Sequence, residues 1–451
     1  MTDTDADAAL TREAARERDA ADPLREYRDR FSVPGGERYM DGNSLGLASD
    51  AALAALERVI EEWRDLAIRG WEAADPDWFT YGERLGDLLA PLVGARGSEV
   101  VVANSTTVNV HTLIGTFLDT LPGTPAGPDP DAEAPAVLVN DLDFPTDHYA
   151  IRAQFRQRGI DPDAKLVAVE SRDGRTIDEA DIEATLRERD DVGIVFMPAV
   201  LYRSGQLLDV DRIVAAAHDH GALAGFDCAH SVGVVPHDLR SAGGRTEKGV
   251  PAGADFAVWC SYKYLNAGPG ATAGLYVHER HHGTTPALAG WWGHEKETQF
   301  EMCHTYTPAD SAGAWQIGTV PMLSSAPIEG ATELIRAAGI EAVREKSLAL
   351  TDYLIALVDG RLGDDFSVGT PREHDRRGGH VAIEHPEGYR LSEALRDRGV
   401  VVDFRPPNVV RVCPAPLYTR YEDVWNVVET VRAVVEADAH REYDEHGAGV
   451  T

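Results

Sequence analysis

The sequence predicts an α/β fold: a mostly parallel sheet with helices on both faces, then a smaller α+β unit. Three observations predict it. Short apolar runs recur at 100–103, 136–139, 166–169, 193–197, 222–226, 256–259 and 274–277, each the length of a buried strand. Helical-period stretches separate several of them, at 147–158, 178–188 and 209–219. That alternation marks parallel strands joined by crossover helices. After about residue 325 the texture changes to two helices (327–358), strands near 380–384, 400–404 and 409–412, and a last helix over 421–437.

Taken in order, residues 1–30 are charged and alanine-rich and read as a helical or partly disordered arm. Segment 50–69 sets Leu53, Leu56, Val59, Ile60, Trp63 and Leu66 at helical spacing, and a second helix is expected over 78–93. The Pro/Gly/acid stretch 121–135 reads as an exposed loop, and 240–253 as another. No internal repeat is found. The expected division is an arm over 1–49 that joins the small domain, a large domain over 50–325 and a small domain over 326–451.

The chain has 451 residues and a formal net charge of −32. Such acidity argues against nucleic acid or an anionic membrane as partner. Lysine is sparse and acids are scattered throughout, which fits solvation in concentrated salt, where charge repulsion is screened within about 3 Å at 1 M, or else a merely acidic cytosolic enzyme. The four cysteines form no C-x-x-C pair, so no zinc or redox motif is signalled and no metal is expected. Cys228 and Cys260 lie in apolar runs and read as inert core thiols. The N-terminus lacks an apolar signal segment. No run of about 18 apolar residues occurs, so no membrane span is expected. These features together predict a soluble cytoplasmic protein.

The chemistry concentrates after two strands. The run 256–259 ends in Ser261-Tyr262-Lys263 and a Gly/Pro loop. An amine just past a buried strand is placed to be partly desolvated and nucleophilic. The run 222–226 ends in Asp227-Cys228-Ala229-His230. A lysine, a carboxylate and an imidazole at neighbouring strand ends suit pyridoxal 5'-phosphate: Lys263 for the Schiff base, Asp227 for the pyridinium nitrogen. Asn104-Ser105-Thr106-Thr107 follows a strand and opens a helix. Such a site offers donors to a phosphate, or an ordinary cap. Phe144-Pro145-Thr146-Asp147 opens another helix; Phe144 can stack on a planar ring and Asp147 can cap. Gly268-x-Gly270 precedes a strand instead of following one, so a dinucleotide fingerprint fails. Trp291-Trp292 between glycines reads as a platform at an interface or over a ligand, or as packing between domains. Arg411, amid valines, suits a substrate carboxylate or a structural ion pair.

With these segments, and with Asp41-Gly42-Asn43-Ser44-Leu45-Gly46-Leu47, nearly the whole chain resembles kynureninase, a fold-type I pyridoxal-phosphate enzyme. The resemblance implies hydrolysis of L-kynurenine to anthranilate and L-alanine in tryptophan catabolism, with a link to NAD biosynthesis. It implies Lys263 as Schiff-base lysine and Tyr262 at the phosphate and reaction centre. Asp227 and His230 lie at the cofactor, Thr106 and Thr107 bind it, and Phe144 to Asp147 form the ring-stacking segment. Trp292 and Thr319 reach the phosphate from a partner subunit, which implies a homodimer with shared sites. Arg411 takes the substrate carboxylate, with Asn43, Ser44 and Trp71 also at the substrate. Two departures stand out: Pro198 does not match a cofactor contact, and Thr319 replaces an Asn of some members. The rival readings are a cysteine desulfurase or selenocysteine lyase, for which Cys303 is the one candidate thiol, and a noncatalytic pyridoxal-phosphate-binding protein.

Overall fold

The computed structural model describes residues 9–245 and 252–445. Residues 246–251 of the second expected loop, and 1–8 of the arm, lie outside the described residues. The strands are β1 (Arg38–Tyr39), β2 (Val100–Val102), β3 (Ala136–Asn140), β4 (Leu166–Val169), β5 (Val192–Pro198), β6 (Leu223–Asp227), β7 (Phe256–Trp259), β8 (Gly274–Val277), β9 (Ser367–Val368), β10 (Val381–Glu384), β11 (Val400–Val401), β12 (Asp403–Arg405) and β13 (Val409–Val412).

Seven strands form the large sheet, in the order β2-β8-β7-β6-β5-β3-β4. All neighbours are parallel except around β8, which runs antiparallel to β2 and β7. Side chains alternate between two cores. Val100, Val102 and Leu138 face one; Val101, Val137 and Val139 face the other. Burial on both faces is why these strands read as unbroken apolar runs. Helices Thr106–Asp119, Pro145–Gln157, Glu179–Glu188 and Val210–Asp219 alternate with the parallel strands.

The carboxyl ends of β3, β5, β6 and β7 all open onto one edge. Such an edge is where open α/β sheets bind ligands. It presents Phe144, Tyr202, Asp227 and Lys263 within a few residues of the strand ends.

The second sheet, β12-β13-β10-β9, is antiparallel. Its core draws on helices Ile340–Arg361, Gly388–Arg396 and Tyr421–Glu436, and on Leu10, Ala15 and Met40 from the chain's first residues. The expected strand at 400–404 is two strands. β11 pairs with β1 and β12 with β13, with buried Val402 between. The expected helix at 50–69 is Asp50–Leu66, and Ala67 leaves it at φ 50°. Not all of its apolar stripe is covered: Leu53, Ile60 and Trp63 are exposed, as are Ile68 and Leu323.

Candidate active site

The lysine loop is held from two sides. The Lys263 Nζ lies 2.8 Å from His230 Nε2 and 6.0 Å from the centre of the Phe144 ring. From the arm, the Gly46 N–H donates to the Tyr262 carbonyl at 2.7 Å. A Cβ on Gly46 would run into the Lys263 carbonyl and the Asn266 side chain. That close approach requires glycine. Asn43 is fully buried in the same loop, with both amide atoms unpartnered.

Asp227 ends β6 and accepts from the Ala229 N–H at 2.8 Å. Asp147 is buried beside it and is not the cap that its position allowed: one carboxyl oxygen meets Asp227 and the other is unpartnered. Burial, then the repulsion of Asp227 and Asp143, pushes the Asp147 carboxyl well above its usual range. Burial also raises Asp227, while the Lys263 charge and the hydrogen bond from Asp147 pull it down. Asp147 therefore carries the proton and Asp227 the charge. His230 is driven far below its ordinary value by burial and then by Lys263, so its ring is neutral. The Cys260 sulfur beside it, and burial, push the Tyr262 phenol up.

A donor set lies at the starts of two neighbouring helices and in the lysine loop. Ser105 caps helix Thr106–Asp119, accepting from the Val108 N–H, which leaves Thr106 and Thr107 in its first turn. Pro145 opens the helix that carries Thr146, and Thr107 Oγ1 meets Thr146 Oγ1 at 3.0 Å. The Ser261 hydroxyl is buried without a partner. The sequence pattern alone assigns Ser261 no role; its place two residues before the lysine is the available signal.

Arg411 is buried with its fork already on Asp403: Nε donates at 2.7 Å and Nη2 closes the second contact. Nη1 donates to the Tyr202 carbonyl at 2.7 Å and Nη2 to Ser44 Oγ at 2.9 Å. Tyr202 stands edge-on to Phe144, joining this corner to the lysine. Asp403 was missed, although β12 and β13 set it directly opposite Arg411 in register. His380 was missed too. It is fully buried, with both ring nitrogens free of side-chain partners, edge-on to His230.

Trp71 and Trp292 belong to a second cluster, their rings 5.3 Å apart, with Trp78, Phe79, Trp291 and Phe300 around them. The buried Trp292 indole N–H has no partner. Thr319 is exposed and lines a groove of about 360 Å³ with Asn104, Ser105 and Val108. Among the described residues, no hydrogen bond, ion pair or ring contact joins Trp71, Trp292 or Thr319 directly to Lys263.

The Kynureninase C-terminal domain family matches residues 343–431. A kynureninase of Geobacillus thermodenitrificans is 45% identical over 434 residues, 96% of each chain. That of Bacillus mycoides is 43% identical over 435 residues, again 96% of each chain. Among solved structures, an apo cysteine desulfurase of Thermococcus onnurineus NA1 superposes with a TM-score of 0.74, over 91% of this chain and 98% of that one, at 17% identity. A C-DES mutant with glycine covalently linked to its PLP cofactor gives 0.74 at 16% identity, over 90% and 98%. At such low identity these two show a shared fold alone. With relatives this similar along almost its entire length, the chain belongs to the kynureninase family.

Proposed function

We propose that the residues around Lys263 carry the family's reaction, hydrolysis of the Cβ–Cγ bond of L-kynurenine to anthranilate and L-alanine, with pyridoxal 5'-phosphate. The observation that carries it is the cluster of Lys263, neutral His230 and the Asp147–Asp227 pair at one sheet edge. The donor chemistry fits the cofactor. A buried anion with a protonated neighbour suits a pyridinium nitrogen. The unpartnered Ser261 hydroxyl and the threonines at the helix start suit a phosphate. Phe144 offers a ring face, and Lys263 an amine for the aldehyde. Bound there, pyridoxal phosphate supplies an electron sink for bonds broken at the substrate's Cα.

In this reading, Asp227 would hold the pyridinium proton, and the hydrogen bond from Asp147 helps to keep Asp227 ionised. The Lys263 amine moves the Cα proton. His230 lies 2.8 Å from the Lys263 nitrogen and fixes its position. Tyr262, its phenol held protonated, gives a proton to the departing alanyl carbon. Arg411 and Ser44 hold the α-carboxylate, with Asn43 beside them, and water is consumed at the γ-carbonyl. Trp71 meets the aryl group. One protomer's Trp292 and Thr319 complete the site of its partner. The unpartnered Trp292 N–H, its separation from Lys263 and the exposed apolar surface of Leu53, Ile60, Trp63, Ile68 and Leu323 support that homodimer.

An arm over 1–49 that joins a small domain at 326–451, with a large domain at 50–325 between, is the division this reading assumes. The proposal extends to a cytoplasmic protein adapted to high salt, supported by the net charge of −32, and to a place in NAD biosynthesis. The aryl pocket favours kynurenine over its 3-hydroxy form. An indole at Trp71 gives no acceptor for the added hydroxyl, a cost of roughly 1–3 kcal/mol or about tenfold to a hundredfold in kcat/KM. Anthranilate fluorescence on adding L-kynurenine to the holoenzyme in concentrated KCl tests the function, and its absence overturns it. A desulfurase reading finds less support: Cys303 is exposed, but its thiol hydrogen-bonds the Thr305 carbonyl, and among the described residues no hydrogen bond joins it to Lys263.

A further inference from the structure

Four charged side chains meet around Arg411, with the Lys263 charge beyond them on the far side of His230 and His380. Asp403, fully buried, meets both Arg411 and Arg405; the Arg405 Nη2 contact is 2.8 Å. Ser44 Oγ donates to Asp403 at 2.9 Å while accepting from Arg411. Asp41 is the fourth charge. It follows β1, and a backbone bridge to Cys413 fixes its place. It is 2% exposed, and its Oδ1 is buried with no hydrogen-bond partner. Among the described residues, no cation lies within ion-pair distance of Asp41.

Two carboxylates and two guanidiniums balance. A substrate carboxylate added to this pocket makes three anions against two cations, out of water, where an unpaired charge is expensive. One anion must then be neutralised. Asp403 is fixed by two arginines, and the substrate acid is bound as the anion, so the proton goes to the carboxylate with no arginine of its own. We propose that Asp41 takes up a proton when the substrate's α-carboxylate binds, and so couples substrate affinity to pH.

The groups facing Asp41 set the direction. Asp403 raises its proton affinity, while Ser44, Arg411 and Arg405 lower it. Tyr39, Cys413 and Tyr418 also lie in its field. Burial, followed by Asp403, pushes the Asp41 carboxyl up to about 7 before any substrate arrives. A further anion moves it the same way. Above that pH the free protein holds Asp41 ionised and binding must take up a proton, so KM rises with pH, at most about tenfold per unit, while kcat does not follow it.

This inference rests on the reading of Arg411 as the carboxylate site. Calorimetry of the holoenzyme with L-alanine at pH 8, in two buffers of different ionisation enthalpy, counts the protons. L-alaninamide, which lacks the carboxylate, is the control, and both counts are corrected for the protons carried by the ligand's own ammonium, because the two amines differ in basicity. The wild type is expected to take up close to one proton more with L-alanine than with L-alaninamide, and Asp41→Asn to abolish that difference and flatten KM above pH 7. Equal proton counts for the two ligands in the wild type overturn the inference, whether or not the variant folds. So does an Asp41→Asn variant that keeps the difference. Anthranilate release by the wild type is scored separately: release with equal proton counts leaves the function standing and removes Asp41's part.

Discussion

His230 offers Nε2 to the Lys263 amine at 2.8 Å, and it does so as a neutral ring. Its other nitrogen is buried and unpartnered, and the His380 ring stands edge-on against it. Burial and the lysine's charge both oppose protonation of His230, so the imidazole meets the lysine with one ring nitrogen protonated and the other not.

Lys263→Ala removes both the cofactor's attachment point and the Cα base. Turnover is expected to fall at least about a thousandfold, or about 4 kcal/mol in barrier. Borohydride reduction and peptide mapping of the wild type check the assignment. A phosphopyridoxyl label on any other lysine sinks it.

The two members of the acid pair are expected to differ. Asp227→Asn removes the anion from the pyridinium nitrogen and costs several tenfold steps in kcat, each ~1.4 kcal/mol. Asp147→Asn replaces a group that already bears a proton, and kcat stays within about tenfold. Steady-state kinetics of both variants decide the matter; a larger loss at Asp147 reverses the assignment of charge.

Gly46→Ala drives a methyl group into the Lys263 carbonyl and Asn266. The loop must shift, at about 1–3 kcal/mol. A lower melting temperature and weaker retention of pyridoxal phosphate on dialysis are expected. Unchanged values for both refute the claim that this contact positions the lysine.

Acid should destabilise the fold in a defined window. Burial pushes His278 and His237 down to about 4. His278 Nδ1 accepts from the Arg280 N–H, as a neutral ring does. Between pH 6.5 and about 4 the unfolded chain binds protons on these rings and the folded one does not, so stability falls as pH falls. Asp41, raised to about 7, works in the opposite direction over the same range. The expected net loss is a few kcal/mol, read by denaturant titration from pH 6.5 to 4.5. His278→Asn should flatten the curve.

How much was legible follows from what each feature depends on. Apolar runs such as 256–259 and 274–277 are strands with those very bounds, because burial on both faces writes itself into composition. Lys263, Asp227 and His230 were readable because strand ends place them. The split of 400–404 was not, since the two halves pair with partners far away in sequence. Nor was the outward face of Leu53, Ile60 and Trp63: a helical period reports an apolar stripe but not what covers it. In sequence, Asp147 suits a cap as well as the cofactor segment, because its contact with Asp227 spans two strand ends. The coverage of Arg411 by Asp403 lay in a hairpin register that spacing alone leaves open.

Arg12 and Glu422 form an ion pair across 410 positions of the chain, and Leu10, Ala15 and Met40 are packed among residues 350–434. A chain emerging from the ribosome therefore offers these early residues nothing to hold them until its closing stretch is made. The seven-stranded sheet, whose strands all lie between, has every partner available sooner and can fold first. Meanwhile Leu10 and Met40 wait in water. Trp425, whose indole N–H ends on the Leu10 carbonyl, makes that contact only after the strands of the large sheet have all been synthesised.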